Sequence, residues 1–143
     1  MRVVFADTGY LIALVNPKDA LHETAISVST TLRQTRLVTS EMVLTEVLNH
    51  FSKRGVFLRR ATINLVEQLQ KDPKTSIVPQ SSSQFQEALS LYSSRGDKTW
   101  SHTDCASFQI MERESIAEAL TYDRHFEQSG FKPLLRGGLP GIP

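Results

Sequence analysis

Apolar residues along this chain come in two rhythms. Val3-Val4-Phe5-Ala6, Leu37-Val38-Thr39, Ser76-Ile77-Val78 and Ala117 to Thr121 are short continuous runs. They read as strands buried on both faces, because a strand with one wet face alternates instead. Between them the apolar positions recur at helical spacing. A short helix follows Thr8-Gly9 and breaks at Asn16-Pro17-Lys18-Asp19, and Asp19 caps a second one through His22, Ala25, Ile26 and Leu32. Ser40 stands as an N-cap for a helix carrying Met42, Val43, Val47 and Leu48 to about Arg54, ended by Gly55. Leu58 to Gln70 follows with Ile63, Val66 and Leu69 inward, stopped by Asp72-Pro73. Ser81 to Ser94 is helical with Phe85, Leu89 and Tyr92 on one side, and Thr103 to Arg113 is the next helix. Asp123 to Gln128 is a last short turn of helix, closed by Gly130. Pro133-Leu134-Leu135 is a weak edge strand, since Pro133 cannot donate to a ladder.

Strands alternating with helices predict an α/β fold, three layers deep, with a mainly parallel sheet of four or five short strands. Residues 1–135 read as one domain, and Arg136 to Pro143, with three glycines and two prolines, as a loose tail. There is no internal repeat and no interdomain linker. At 143 residues the chain can bury one real core, and 40% hydrophobic and 22% charged residues are ordinary globular usage. A net charge of +1 leaves no global field, so any nucleic-acid site must be local. The single Cys105 excludes an internal disulfide and a cysteine zinc cluster, and reads as a small buried residue. No apolar run nears the roughly 20 residues that span a bilayer, so no membrane association and a cytoplasmic location are expected.

The chemistry lies in the acids. Asp7 ends the first strand and Asp123 the fourth, and the carboxyl edge of an open parallel sheet is where ligands bind. A helix cap explains either alone; neighbouring parallel strands would bring both within several ångströms. Glu46 lies beside the apolar face of its helix, with no cation at i+3 or i+4, whereas Glu41 in the first turn is explained by the helix dipole. Asp104 follows Trp100-Ser101-His102-Thr103, where Ser101 or Thr103 can cap, and Asp97 precedes it in a loop. Carboxylates that close repel one another, and a hard cation such as Mg²⁺ or Mn²⁺ resolves the conflict while keeping water for a phosphate substrate.

Four segments carry a resemblance: Phe5-Ala6-Asp7-Thr8-Gly9, Thr39 to Val47, Asp97 to Cys105 with its Trp-Ser-x-Thr-Asp form, and Leu120 to Phe126 with its Thr-x-Asp-x-His-Phe form. In this order they resemble the PIN domain family, the metal-dependent nuclease fold that includes the VapC-type toxins of toxin–antitoxin pairs, over about Val3 to Leu135. The resemblance implies that Asp7, Asp104 and Asp123 bind Mg²⁺ or Mn²⁺ and that Glu46 orients or helps activate the attacking water. It makes Asp97 an outer acid, with Thr8 and Thr103 supporting carboxylates or water. The implied reaction is hydrolysis of RNA to 5′-phosphate and 3′-hydroxyl ends. An antitoxin protein and a homodimer are the implied partners.

Other readings fare worse. Asp7-Thr8-Gly9 is also the aspartic-protease triplet, but those enzymes need two in an all-β setting. A phosphoacceptor receiver needs an acidic pair after its first strand and an acceptor after its third; Asp7 stands alone and Ile77-Val78-Pro79 offers none. A non-enzymatic RNA-binding or interaction module on the same fold is the remaining alternative. His22, His50, His102 and His125 lack metal-ligand spacing, and His125 reads as a packing or supporting residue near Asp123. Lys53, Arg54, Arg59 and Arg60 form the densest basic cluster and are candidates for RNA phosphate contacts. Trp100 either stacks a base or packs down on the domain, and Val56-Phe57-Leu58 is either a partner groove or core.

Overall fold

The computed structural model describes residues 1–136, and most of the expected tail therefore lies outside the described residues. Strands β1 (Arg2–Ala6), β2 (Thr35–Ser40), β3 (Thr75–Val78), β4 (Glu118–Leu120) and β5 (Lys132–Pro133) form one sheet in the order β3-β2-β1-β4-β5, and every pairing is parallel. Helices α1 (Thr8–Val15), α2 (His22–Ser29), α3 (Glu41–Phe51) and α4 (Val56–Lys71) pack with one another, and α5 (Ser82–Ser94), α6 (His102–Arg113) and α7 (Arg124–Gln128) form a second group, giving three α/β/α layers. The continuous apolar run of β1 is explained by this position: Val4, Phe5 and Ala6 are fully buried at the sheet centre.

The strand order matters for the site. From β1 the chain steps outward one way to β2 and β3, then returns to lay β4 and β5 on the other side. β1 and β4 thus flank the topological switch point, where a crevice opens beyond the carboxyl ends. The register pairs Ala6 with Leu120, so the residues that follow each strand, Asp7 and Thr121, face each other across that crevice.

Several element boundaries differ from the sequence reading, each for a local reason. The second helix ends at Ser29 rather than at Leu32, and Asp19 precedes it in a turn, accepting from the Leu21 N–H at 2.9 Å. Gly55 adopts φ +95° and is the N-cap of α4, so that helix begins at Val56, and Val56 and Phe57 stand exposed instead of entering the core. The inward stripe of α4 runs through Leu58, Thr62, Leu65, Val66 and Leu69, and Ile63 falls off it into solvent. On α5 the buried positions are Gln84 and Ala88, so the side bearing Phe85, Leu89 and Tyr92 faces outward. Arg136, where the tail was expected to begin, donates to the Tyr122 carbonyl at 2.9 Å and lies over its ring. Ser40 caps α3 as expected, its hydroxyl accepting from the Val43 N–H at 3.1 Å. Ser40→Ala should cost about 1 kcal/mol in chemical denaturation; a change near zero would show that the cap contributes nothing.

Candidate active site

A cleft of about 530 Å³ opens at the switch point and is lined by Asp7, Glu46, Asp104 and Asp123 together with Thr8, Thr99, Ser101, Thr121 and His125. Each acid arrives on a different element. Asp7 sits at the N-cap of α1 but makes no side-chain cap, so capping does not explain it. Its Oδ2 instead accepts from the Thr121 hydroxyl at 2.9 Å. Thr121 Oγ1 in turn accepts from the Asp123 N–H at 3.0 Å, and one threonine thereby ties the ends of β1 and β4 together. Asp123 caps α7 through the His125 N–H at 2.8 Å. Asp104 closes a capping box with Ser101 at the start of α6, which leaves Thr103 without a capping role and outside the cleft lining. Glu46, one and a half turns into α3, is half-buried and accepts from the Thr8 hydroxyl at 2.5 Å.

Electrostatics mark the cluster as unusual. Burial pushes the Asp7 pKa up to about 7, the Thr121 hydroxyl pulls the other way, and the charges of Asp104 and Asp123 push it further up. Asp104 is raised as well, first by burial and then by Asp123, with Ser101 and His125 opposing. Thr121→Val keeps the shape and deletes the hydroxyl. The Asp7 pKa, followed by carboxyl ¹³C NMR in metal-free protein, should then rise above its wild-type value, and an unchanged value would contradict the Thr121 bond.

Asp97 is placed elsewhere. Arg95 grips both its oxygens, at 2.9 and 3.0 Å, and holds its carboxyl down at about 2, with Asp97 outside the cleft lining. Lys53, Arg54, Arg59 and Arg60 are all exposed at the α3–α4 junction and none lines the cleft, and Arg59 donates to the Ser52 carbonyl at 2.8 Å. Trp100 packs down, edge to face on Phe108 at 5.0 Å, with Arg95 over its ring. Cys105 is buried. Thr121 is the site residue that sequence reasoning misses, while His125 stands where a supporting residue near Asp123 is expected. Both stand inside the Thr-x-Asp-x-His-Phe segment, and only the β1–β4 register turns Thr121 toward Asp7.

The donor set suits a hard divalent cation. Among the described residues, Asp104 and Asp123 each spend one oxygen on protein donors, Oδ2 and Oδ1 respectively, and keep the other free. Ligand atoms of Asp104, Asp123 and His125 lie within 4.8 Å of one another. A second concavity of about 570 Å³, lined by Glu41, Thr45, Gln80, Ser81, Ser82 and Phe85, has one carboxylate, and Glu41 is already taken by the Gln80 N–H at 2.7 Å. Convergent acids therefore single out the first cleft.

A parallel α/β sheet with acids gathered at its switch point belongs to the open α/β folds that bind ligands beyond the carboxyl ends of their strands. A family model for the PIN domain matches residues 4–132, and the chain belongs to the PIN domain family of nucleases. Among solved structures it is similar to the crystal structure of VapC20 of Mycobacterium tuberculosis, described as a toxin that cleaves the sarcin–ricin loop. The two share 23% identity at a TM-score of 0.79, over 90% of this chain and 95% of that one. No curated protein sequence matches this chain. Among the described residues no helix is long and apolar enough to cross a membrane.

Proposed function

We propose that this protein is a metal-dependent endoribonuclease acting as the toxin of a toxin–antitoxin pair. The observation that carries the reading is the convergence of Asp7, Asp104 and Asp123 on one cleft with a half-buried Glu46 opposite and no Lys or Arg among the lining residues. Asp7, Asp104 and Asp123 would hold Mg²⁺ or Mn²⁺, and burial together with neighbouring acids raises the carboxyls of Asp7 and Asp104. When bound, such an ion offsets that repulsion, lowers the pKa of water and stabilises charge on a phosphoryl transition state. The protein's own part is orientation. Thr8 fixes the Glu46 carboxylate, which orients the attacking water and receives its proton. Water attacks phosphorus in line, the bond to the 3′-oxygen breaks, and the ends are a 5′-phosphate and a 3′-hydroxyl. Lys53, Arg54, Arg59 and Arg60 give the RNA backbone a cationic contact outside the cleft.

The toxin role draws on the likeness to VapC20, and it implies a cytoplasmic protein, a homodimer and an antitoxin that covers the acids. The test is cleavage of a broad RNA pool, structured ribosomal loops included, in Mn²⁺ or Mg²⁺ against EDTA, with the product ends mapped. Metal-dependent products bearing 5′-phosphates are expected. Cleavage that persists in EDTA, or 2′,3′-cyclic phosphate ends, would contradict the proposal.

A further inference from the structure

We propose that His125 is a positioning residue. It holds Asp104 beside Asp123, donating from its Nδ1–H to the first and from its backbone N–H to the second. The inference rests on the reading of the cleft as a metal-binding nuclease site.

His125 Nδ1 lies 3.1 Å from Asp104 Oδ2 and 3.2 Å from Asp123 Oδ1. The first of these is a hydrogen bond, and an ionised carboxylate only accepts, so Nδ1 carries the proton. The other nitrogen, Nε2, lies 3.1 Å from the Thr99 hydroxyl. The Thr99 hydroxyl can pair with that nitrogen as donor or as acceptor. The ring is thus engaged at both ends.

The two carboxylates come from elements distant in sequence, the start of α6 and the start of α7. The α6 capping box and the α7 cap each hold one acid to its own helix, through the Ser101 and His125 N–H groups. His125 joins the two, since its Nδ1 bonds Asp104 Oδ2 at 3.1 Å while its backbone N–H bonds Asp123 Oδ1 at 2.8 Å. It approaches the oxygens already used in capping, so the remaining oxygen of each acid stays available. His125 therefore sets the distance between two acids, by its ring on one side and its backbone on the other, without consuming what a cation needs. Supporting partners of this kind govern how well ligands are oriented.

The tests separate a donor from a ligand and from a packing group. Imidazole ¹⁵N NMR of the metal-free protein at pH 8 should show the Nδ1–H tautomer; the Nε2–H tautomer would overturn the proposal. Asparagine places its amide nitrogen near the position of Nδ1, whereas glutamine places it near that of Nε2. In Mn²⁺ titration calorimetry His125→Gln should bind about 10–100-fold more weakly than wild type, and His125→Asn should stay within about threefold. His125→Gln binding as tightly as wild type, or His125→Asn as weak as His125→Gln, would overturn it. Wild type that binds no Mn²⁺ would defeat the nuclease reading instead, while the tautomer still decides whether His125 is the donor.

Discussion

Asp7→Asn is expected to make the metal-free protein more stable at pH 8. Burial lifts the Asp7 pKa from its ordinary 3.8 to about 7. Below pH 4 the folded and unfolded chains both carry the proton, and the residue costs nothing. Between pH 4 and 7 the unfolded chain releases its proton while the folded one keeps it, so stability falls as pH rises. Above pH 7 the full penalty applies, at most about 4 kcal/mol for a shift of this size. Asparagine keeps an oxygen for the Thr121 hydroxyl and carries no charge beside Asp104 and Asp123. A melting temperature higher than wild type by about 5 °C or more is expected at pH 8, with little difference at pH 4. Added Mn²⁺ should narrow the gap by stabilising only the wild type. A variant less stable than wild type in metal-free buffer at pH 8 would show that the carboxylate is not held at a cost.

The second large effect lies beneath the cleft. Phe126 is fully buried on α7 between Asp123 and the β1 core. Its ring meets Phe108 edge to face at 4.9 Å and Phe5 at 6.5 Å, and Phe108 also carries Trp100. This aromatic cluster joins β1, α6, α7 and the loop before α6, the elements that deliver Asp7, Asp104, Asp123 and His125. Phe126→Ala removes the ring that seats α7 and should cost about 3–5 kcal/mol in urea denaturation. Phe126→Leu refills much of the volume and should recover most of that loss. A loss under about 1 kcal/mol for Phe126→Ala would mean that α7 is held by its hydrogen bonds and not by packing.

The layers of the fold were legible because burial on both faces leaves a distinct trace. Val4, Phe5 and Ala6 could only be a central strand, and helical spacing separated the rest. Helix phase was harder to read. Ile63 differs from the true inward stripe of α4 by a fraction of a turn, and Phe85, Leu89 and Tyr92 form an apolar side of α5 that is left exposed. Asp7, Asp104 and Asp123 were legible as acids at element ends and Glu46 as an acid beside the apolar face of its helix, since ordinary capping explained them poorly as a set. Asp97 shared their sequence surroundings, but Arg95 two residues upstream captures it, and no spacing rule distinguishes the two outcomes. Ser101 and Thr103 were equivalent cap candidates until the backbone of α6 chose the former. Thr121 acts across the β1–β4 junction, and its contact with Asp7 depends on a register that periodicity does not encode.

The most direct test of the central claim compares wild type with Asp7→Asn, purified identically, on a broad RNA pool in Mn²⁺. The account predicts cleavage by the wild type and none by the folded, more stable variant, because the substitution removes a ligand charge with little change of shape. Cleavage by Asp7→Asn at the wild-type rate would contradict it and place the activity outside this cleft.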